Sequence, residues 1–180
     1  HIQNKELSLF NASVFLRKLG SSLISIFTPI YLFSNGYNIK SIFLFYAILA
    51  LTLIVCSFPT AKIIAKIGEK HSMLISTIFE VGVYLGLIFF LKTPLLYIVP
   101  AFMAMQMLLY NMSYHLVFTH HSHKKSRGKE VSNLGILVLL AGIISPYIGG
   151  VIANFDFKIL FLISTSIIIF SSLPLFFTKD

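Results

Sequence analysis

Glu80 is an acid inside a long apolar run, FEVGVYLG. Hydrocarbon disfavours an ionised carboxylate, so a lone carboxyl there can take up a proton and release it, and is a natural proton carrier. Arg17 and Lys18 lie about ten residues into another apolar run, roughly 15 Å along a helix axis. Ser13, Arg17, Ser21 and Ser25 recur at every fourth residue, with Thr28 three further on, which makes one polar stripe on an apolar helix. The forked donors of Arg17 suit an anionic or polar solute. The bland alternative is that Arg17 and Lys18 snorkel to a membrane surface. A third run carries Gln106, Tyr110, Ser113 and Tyr114 on one side and Met107, Asn111 and His115 beside them. His115 can titrate near neutral pH. Asn111 can equally bond to a neighbouring helix, and Glu80 can equally pair with Lys18 or Arg17.

Other chemistries find no site. His120, His121 and His123 do not share one helix face, and their surroundings, HHSHKKSRGKE, read as a solvated loop. The only aspartates are Asp156 and Asp180, so a transferase built on clustered aspartates has nothing to work with. There is no glycine loop for a nucleotide. We expect no enzyme, no metal and no cofactor.

The elements that must hold these residues are membrane helices. Of 180 residues, 57% are hydrophobic and 11% charged, with mean hydropathy +0.88; soluble domains carry about 25% charged residues. A span needs roughly 20 apolar residues, and six runs qualify: 7–34, 41–64, 72–91, 95–119, 131–154 and 159–177. They are long and unbroken, unlike the short alternating strands of a transmembrane barrel. With no Trp, any interfacial aromatic belt is made of Tyr. The single Cys56 has no partner for an internal disulfide. No cleavable signal peptide is evident in the first residues, and His1 is not a natural start, so we expect a trimmed or tagged chain.

Basic residues orient the helices. Lys62, Lys66, Lys70, Lys124, Lys125, Arg127 and Lys129 fall after the second and fourth runs, and Lys5 and Lys179 flank the ends. The opposite loops hold Lys40, Lys92 and Lys158. The first set is expected in the cytoplasm, with both termini. This asymmetry accounts for most of the net charge of +8 better than a nucleic-acid partner does.

Three stretches carry a family resemblance. In LLAGIISPYIGGVIA, residues 139–153, Gly142, Pro146, Gly149 and Gly150 match in type a fifth-helix signature of roughly GxxxGPxxGG, with Ser145 where the pattern has glycine before the proline. Gly135, Gly142 and Gly149 recur every seventh residue, a smooth stripe against which another helix could slide. In AKIIAKIGEKH, residues 61–71, Lys66, Gly68 and Lys70 fall on the basic, glycine and basic positions of a GxxxDRxGxRR loop, while Ala61, Ala65 and His71 replace its first glycine, its acid and its last basic residue. Arg127-Gly128 is similar to an Arg-Gly pair common before the fifth helix. In order and place these motifs resemble the major facilitator superfamily, over the whole chain as its N-terminal half.

That resemblance implies an all-α integral membrane protein of six transmembrane helices, built as two three-helix inverted repeats. It implies a secondary transporter working by alternating access and coupled to protons, in a prokaryotic inner or plasma membrane. Helices one and four would line the cavity and helix three would lie at the periphery. The expected solute contacts are Arg17, Ser21, Gln106, Tyr110 and Asn111, with Glu80 and His115 for proton coupling. Lys66, Gly68, Lys70, Arg127, Gly128, Gly142, Pro146, Gly149 and Gly150 would serve conformational change. The missing acid at Ala65 puts the family's latch between halves in doubt. Partners would be membrane lipid, a small solute and a second transporter half, in the same native chain or another copy. The alternative is a non-transporting membrane scaffold or accessory subunit, or a half-size protein working as a homodimer.

Overall fold

A computed structural model describes the backbone of residues 2–121 and 127–176, and the side chains of residues 8–119 and 128–175. Its elements are all helical: α1 (Ile2–Ser25), α2 (Phe27–Ser34), α3 (Ile39–Ile67), α4 (Glu69–Phe89), a short 3-10 helix (Pro94–Ile98), α5 (Val99–His121), α6 (Arg127–Phe155) and α7 (Phe157–Phe176). Among the described residues, five helical stretches are long and apolar enough to cross a membrane: Ile39–Ile67, Glu69–Phe89, Pro94–Thr119, Gly128–Phe155 and Phe157–Leu175. They correspond to the second to sixth apolar runs. The first run is not one helix but two, α1 and α2, parted at Ile26. Pro29 supplies the reason. It has no N–H for the Ser25 carbonyl one turn back, and its ring crowds that carbonyl. Arg17, Lys18 and several serines lower the hydropathy of α1 further.

The chain packs as two units, grouped by contact and not by chain order. One contains α1, α5 from Leu116 onward, α6 and α7. Here α1 packs on both α6 and α7. Its buried face is Phe10, Ser13, Val14, Arg17, Gly20 and Ile24, which is helical spacing. The buried face of α7 is Phe161, Ser164, Ile168, Ser171 and Leu175. The hydroxyl of Ser13 donates to the Ser171 carbonyl at 2.6 Å. About two turns along α1, a Cβ at Gly20 would stand 3.0 Å from Ile168 Cδ1. The absence of a side chain there is what lets the two helices close.

On α6 the buried positions are Leu134, Ala141, Ser145 and Gly149. Ala141, Ser145 and Gly149 recur at every fourth residue, a small-residue seam of the kind that permits close helix packing in membranes. The heptad stripe does not take this role throughout. Gly135 and Gly142 are only half-buried, and a Cβ built on either meets nothing within 4 Å. A heptad repeat drifts round a straight helix, so it leaves the packed face that the fourfold spacing follows.

The other unit runs Phe27–His115. Half of the apolar stretch of α4 is buried, against 6% for α3, so α4 has one face packed against other helices. Two glycines explain how α4 gets so close to α5. A Cβ at Gly82 would stand 3.0 Å from the Phe102 ring, and one at Gly86 only 2.8 Å from Val99 Cγ2. Phe79 meets Phe102 edge-on, with ring centroids 5.4 Å apart. At the end of α2, Gly36 turns the chain at φ +89°. Asn38 then caps α3, its side chain accepting from the Ser41 N–H at 2.8 Å. Between them the Tyr37 hydroxyl donates to the Leu91 carbonyl and ties this turn to the end of α4.

Candidate functional site

Glu80 is 2% exposed and faces the interior from α4, with Ser72, Ser76 and Thr77 on the preceding turns, all buried. The Tyr84 phenol, itself 5% exposed, donates to Glu80 Oε1 at 3.0 Å. Sequence reasoning singled out Glu80 but not this partner. The signal was present: positions four apart stack on one helix face.

On α1 the polar stripe divides. Ser13 and Arg17 are buried, Ser21 is half-buried, and Ser25 and Lys18 are exposed. Arg17 is 4% exposed and lies between Ser13 and Gly20 on the face that packs on α7. Ser21 and Ser25 turn back to their own helix, donating to the Lys18 and Ser22 carbonyls at 3.2 and 3.4 Å. A hydroxyl bonded to its own backbone leaves no orphan donor in an apolar setting.

On α5, in the other unit, Gln106 and Tyr110 are half-buried and Asn111 and His115 exposed. Tyr110 stacks on Tyr114 with ring centroids 6.0 Å apart, and Tyr114 meets the His115 ring edge-on at 4.9 Å. The structure thus groups Tyr110, Tyr114 and His115 into one aromatic cluster and leaves the amide of Asn111 beside them at the surface of the chain. The buried hydroxyls of Ser113 on α5, Ser145 on α6 and Ser164 on α7 have no hydrogen-bond partner among the described residues. Sequence reasoning missed Ser145 and Ser164 as buried polar groups, because a lone serine in an apolar run reads as packing.

The loop after α3 is built on Gly68. It sits at φ +87° and ψ 158°, a region open to glycine and closed to side chains. Its N–H donates to the Ile64 carbonyl at 2.9 Å, ending α3, and its carbonyl accepts from Ser72 N–H and hydroxyl at 3.1 and 2.7 Å, starting α4. One residue therefore closes one helix and opens the next. Lys66 is exposed and Lys70 half-buried, and Ala65, where the pattern has an acid, is exposed. Pro146 lies inside α6, half-buried, beside the buried Ser145 and Gly149 and the half-buried Gly150. In register with Pro146, the first glycine of the helix-five signature falls on the buried Ala141, one residue before Gly142. Gly128 is exposed near the start of α6. The side chains of Arg127, His120 and His121, and all of His123, Lys124, Lys125 and Lys179, lie outside the described residues, as does the side chain of Lys5. Among the described residues no three His, Cys, Asp or Glu side chains gather as a metal site would need.

None of the curated proteins matches the chain. A family model does, over residues 10–180, and its description is the Major Facilitator Superfamily. The match takes in α1 from Phe10 and every later helix, including the Gly68 loop and the proline-bearing α6. Apolar helices and this match together make the chain part of a multi-pass membrane protein. It belongs to the Major Facilitator Superfamily, whose members are typically transporters.

Proposed function

We propose that the chain is one half of a secondary active transporter that moves a small solute by alternating access, with a proton as the coupling ion. The observation that carries this reading is Glu80: a carboxyl 2% exposed in the middle of an apolar helix, held by a buried phenol. Membrane interiors tolerate such groups at a cost, and they mark ion and substrate pathways by default. His115, exposed on α5, is the second proton-handling candidate. The solute contacts fall in two sets, each within its own unit. One is Gln106, Tyr110 and Asn111 on α5. The other is Ser21 and Arg17 on α1. Arg17 reaches solute only in a conformation that loosens α1 from α7, since the present one buries it.

In this reading a second half completes the transporter, both termini are cytoplasmic, and motion centres on the Lys66–Lys70 loop, Arg127-Gly128 and the α6 stretch Gly142–Gly150. The test uses the full-length protein in proteoliposomes with an imposed proton gradient. Solutes of several charge classes are offered, and uptake is compared with Glu80→Gln. The reading requires gradient-driven accumulation that Glu80→Gln abolishes while solute exchange without a gradient persists. Accumulation that survives in Glu80→Gln removes Glu80 from coupling.

A further inference from the structure

A cavity of about 230 Å³ opens between α4 and the start of α5. It is lined by Gly82, Leu85, Gly86 and Phe89 of α4, by Phe90 just past its end, and by Ile98, Val99 and Phe102. It exposes almost no polar atom. An engineered apolar cavity of roughly 150 Å³ stays dry and takes up a benzene-sized hydrocarbon, so this larger one suits hydrocarbon and not water or a polar solute. It is open at the side, because Phe89 is 71% exposed and Ile98 49%.

The cavity also has a definite depth. Phe90 on its wall is two residues from Lys92, which is exposed in the short connection to the 3-10 helix. Two residues span at most about 7 Å of chain. The same end of the unit carries two tyrosines. Tyr37 is anchored to the Leu91 carbonyl, and Tyr97 of the 3-10 helix lies close enough to Tyr37 to help raise its phenol above the usual tyrosine range, behind the main cause, burial. Tyrosines and lysines together mark the headgroup level of a bilayer. A cation therefore stands at the polar mouth of a hydrocarbon slot.

We propose that this groove is a lipid-binding site. One acyl chain of a bilayer phospholipid lies in the slot between α4 and α5, and its anionic headgroup pairs with Lys92. The glycines let α4 and α5 close around the slot, the phenylalanines line it, and the lysine selects the headgroup. The site is independent of solute and proton handling, so it stands or falls apart from the transport reading.

The test is lipid retention by the full-length protein in native mass spectrometry, with phosphatidylglycerol and phosphatidylcholine of matched acyl chains offered in equal amounts. The wild type retains lipid and prefers phosphatidylglycerol about fivefold, the size expected for one lysine at an anionic surface. Lys92→Gln, at an exposed position, keeps the retention and loses the preference. Leu85→Trp fills the slot and loses the retained lipid of either kind, and Ile98→Trp, at an exposed position on the opposite wall, does the same if Leu85→Trp fails to fold. An undiminished preference in Lys92→Gln overturns the headgroup assignment. Undiminished retention in a folded slot-filling variant overturns the site, leaving only non-specific lipid at the protein surface.

Discussion

At the residue scale, two polar groups carry the account. Glu80 and Tyr84 share one face of α4 and one hydrogen bond, with both side chains buried. Removing the phenol hydroxyl leaves a buried carboxyl short of a donor, which costs about 1–3 kcal/mol. Tyr84→Phe should therefore lower the unfolding midpoint of the detergent-solubilised protein, and an unchanged midpoint would show that the bond contributes nothing. Gly68 stands on backbone geometry instead. A side chain at φ +87° costs on the order of 1–3 kcal/mol, so Gly68→Ala should destabilise the loop although a Cβ there has space. Gly68→Ala at wild-type stability would mean that the loop relaxes to another conformation. Of these positions, Gly68 and Glu80 were legible from the sequence, one as the glycine of a loop pattern between two basic residues and the other as an acid among apolar residues. Tyr84 was visible only as part of a glycine-flanked stretch. Arg17 shows the limit of such reading: its spacing with Ser13 and Ser21 reveals a stripe, but whether that stripe faces water or another helix depends on what packs against it.

Helix packing in this chain is decided by where small residues fall. Gly82 and Gly86 bring α4 onto α5, Gly20 brings α1 onto α7, and Ala141, Ser145 and Gly149 form the buried seam of α6. Gly86→Leu forces a side chain into Val99, and overpacking of this kind costs about 1–3 kcal/mol. Gly142 is different, because a Cβ there meets nothing within 4 Å. Gly142→Leu should leave stability intact and yet impair transport, if α6 presents that face to a moving partner. Equal stability and equal transport in Gly142→Leu would remove the glycine stripe from the mechanism. The second to sixth apolar runs fall on the five long apolar helical stretches, since hydropathy over a long stretch is a strong signal. They did not reveal the break at Ile26, which depends on one proline, nor that α4 is half-buried, which depends on how closely Gly82 and Gly86 let α5 approach it.

For the whole molecule, all-helical architecture and family membership agree with the composition and with the order of the motifs. The proposal of a second half has a direct consequence. The native polypeptide should have a mass near twice the 20.2 kDa of this chain, or the chain should be recovered as a dimer. A native monomer of about this mass would favour the scaffold or accessory-subunit alternative.

The central claim is that polar residues on α5 face a water-filled pathway, and cysteine accessibility tests it most directly. In the full-length protein with Cys56 replaced by alanine, single cysteines are placed at Gln106, Tyr110 and Asn111, and at the exposed apolar positions Phe58 and Ile54 of α3. Each is exposed in intact membranes to a small charged thiol reagent. The account predicts rapid labelling at the three α5 positions and slow labelling at Phe58 and Ile54, apolar side chains exposed on an apolar helix. Labelling on α5 as slow as at the α3 positions would contradict it, because residues that water cannot reach cannot bind a solute drawn from water.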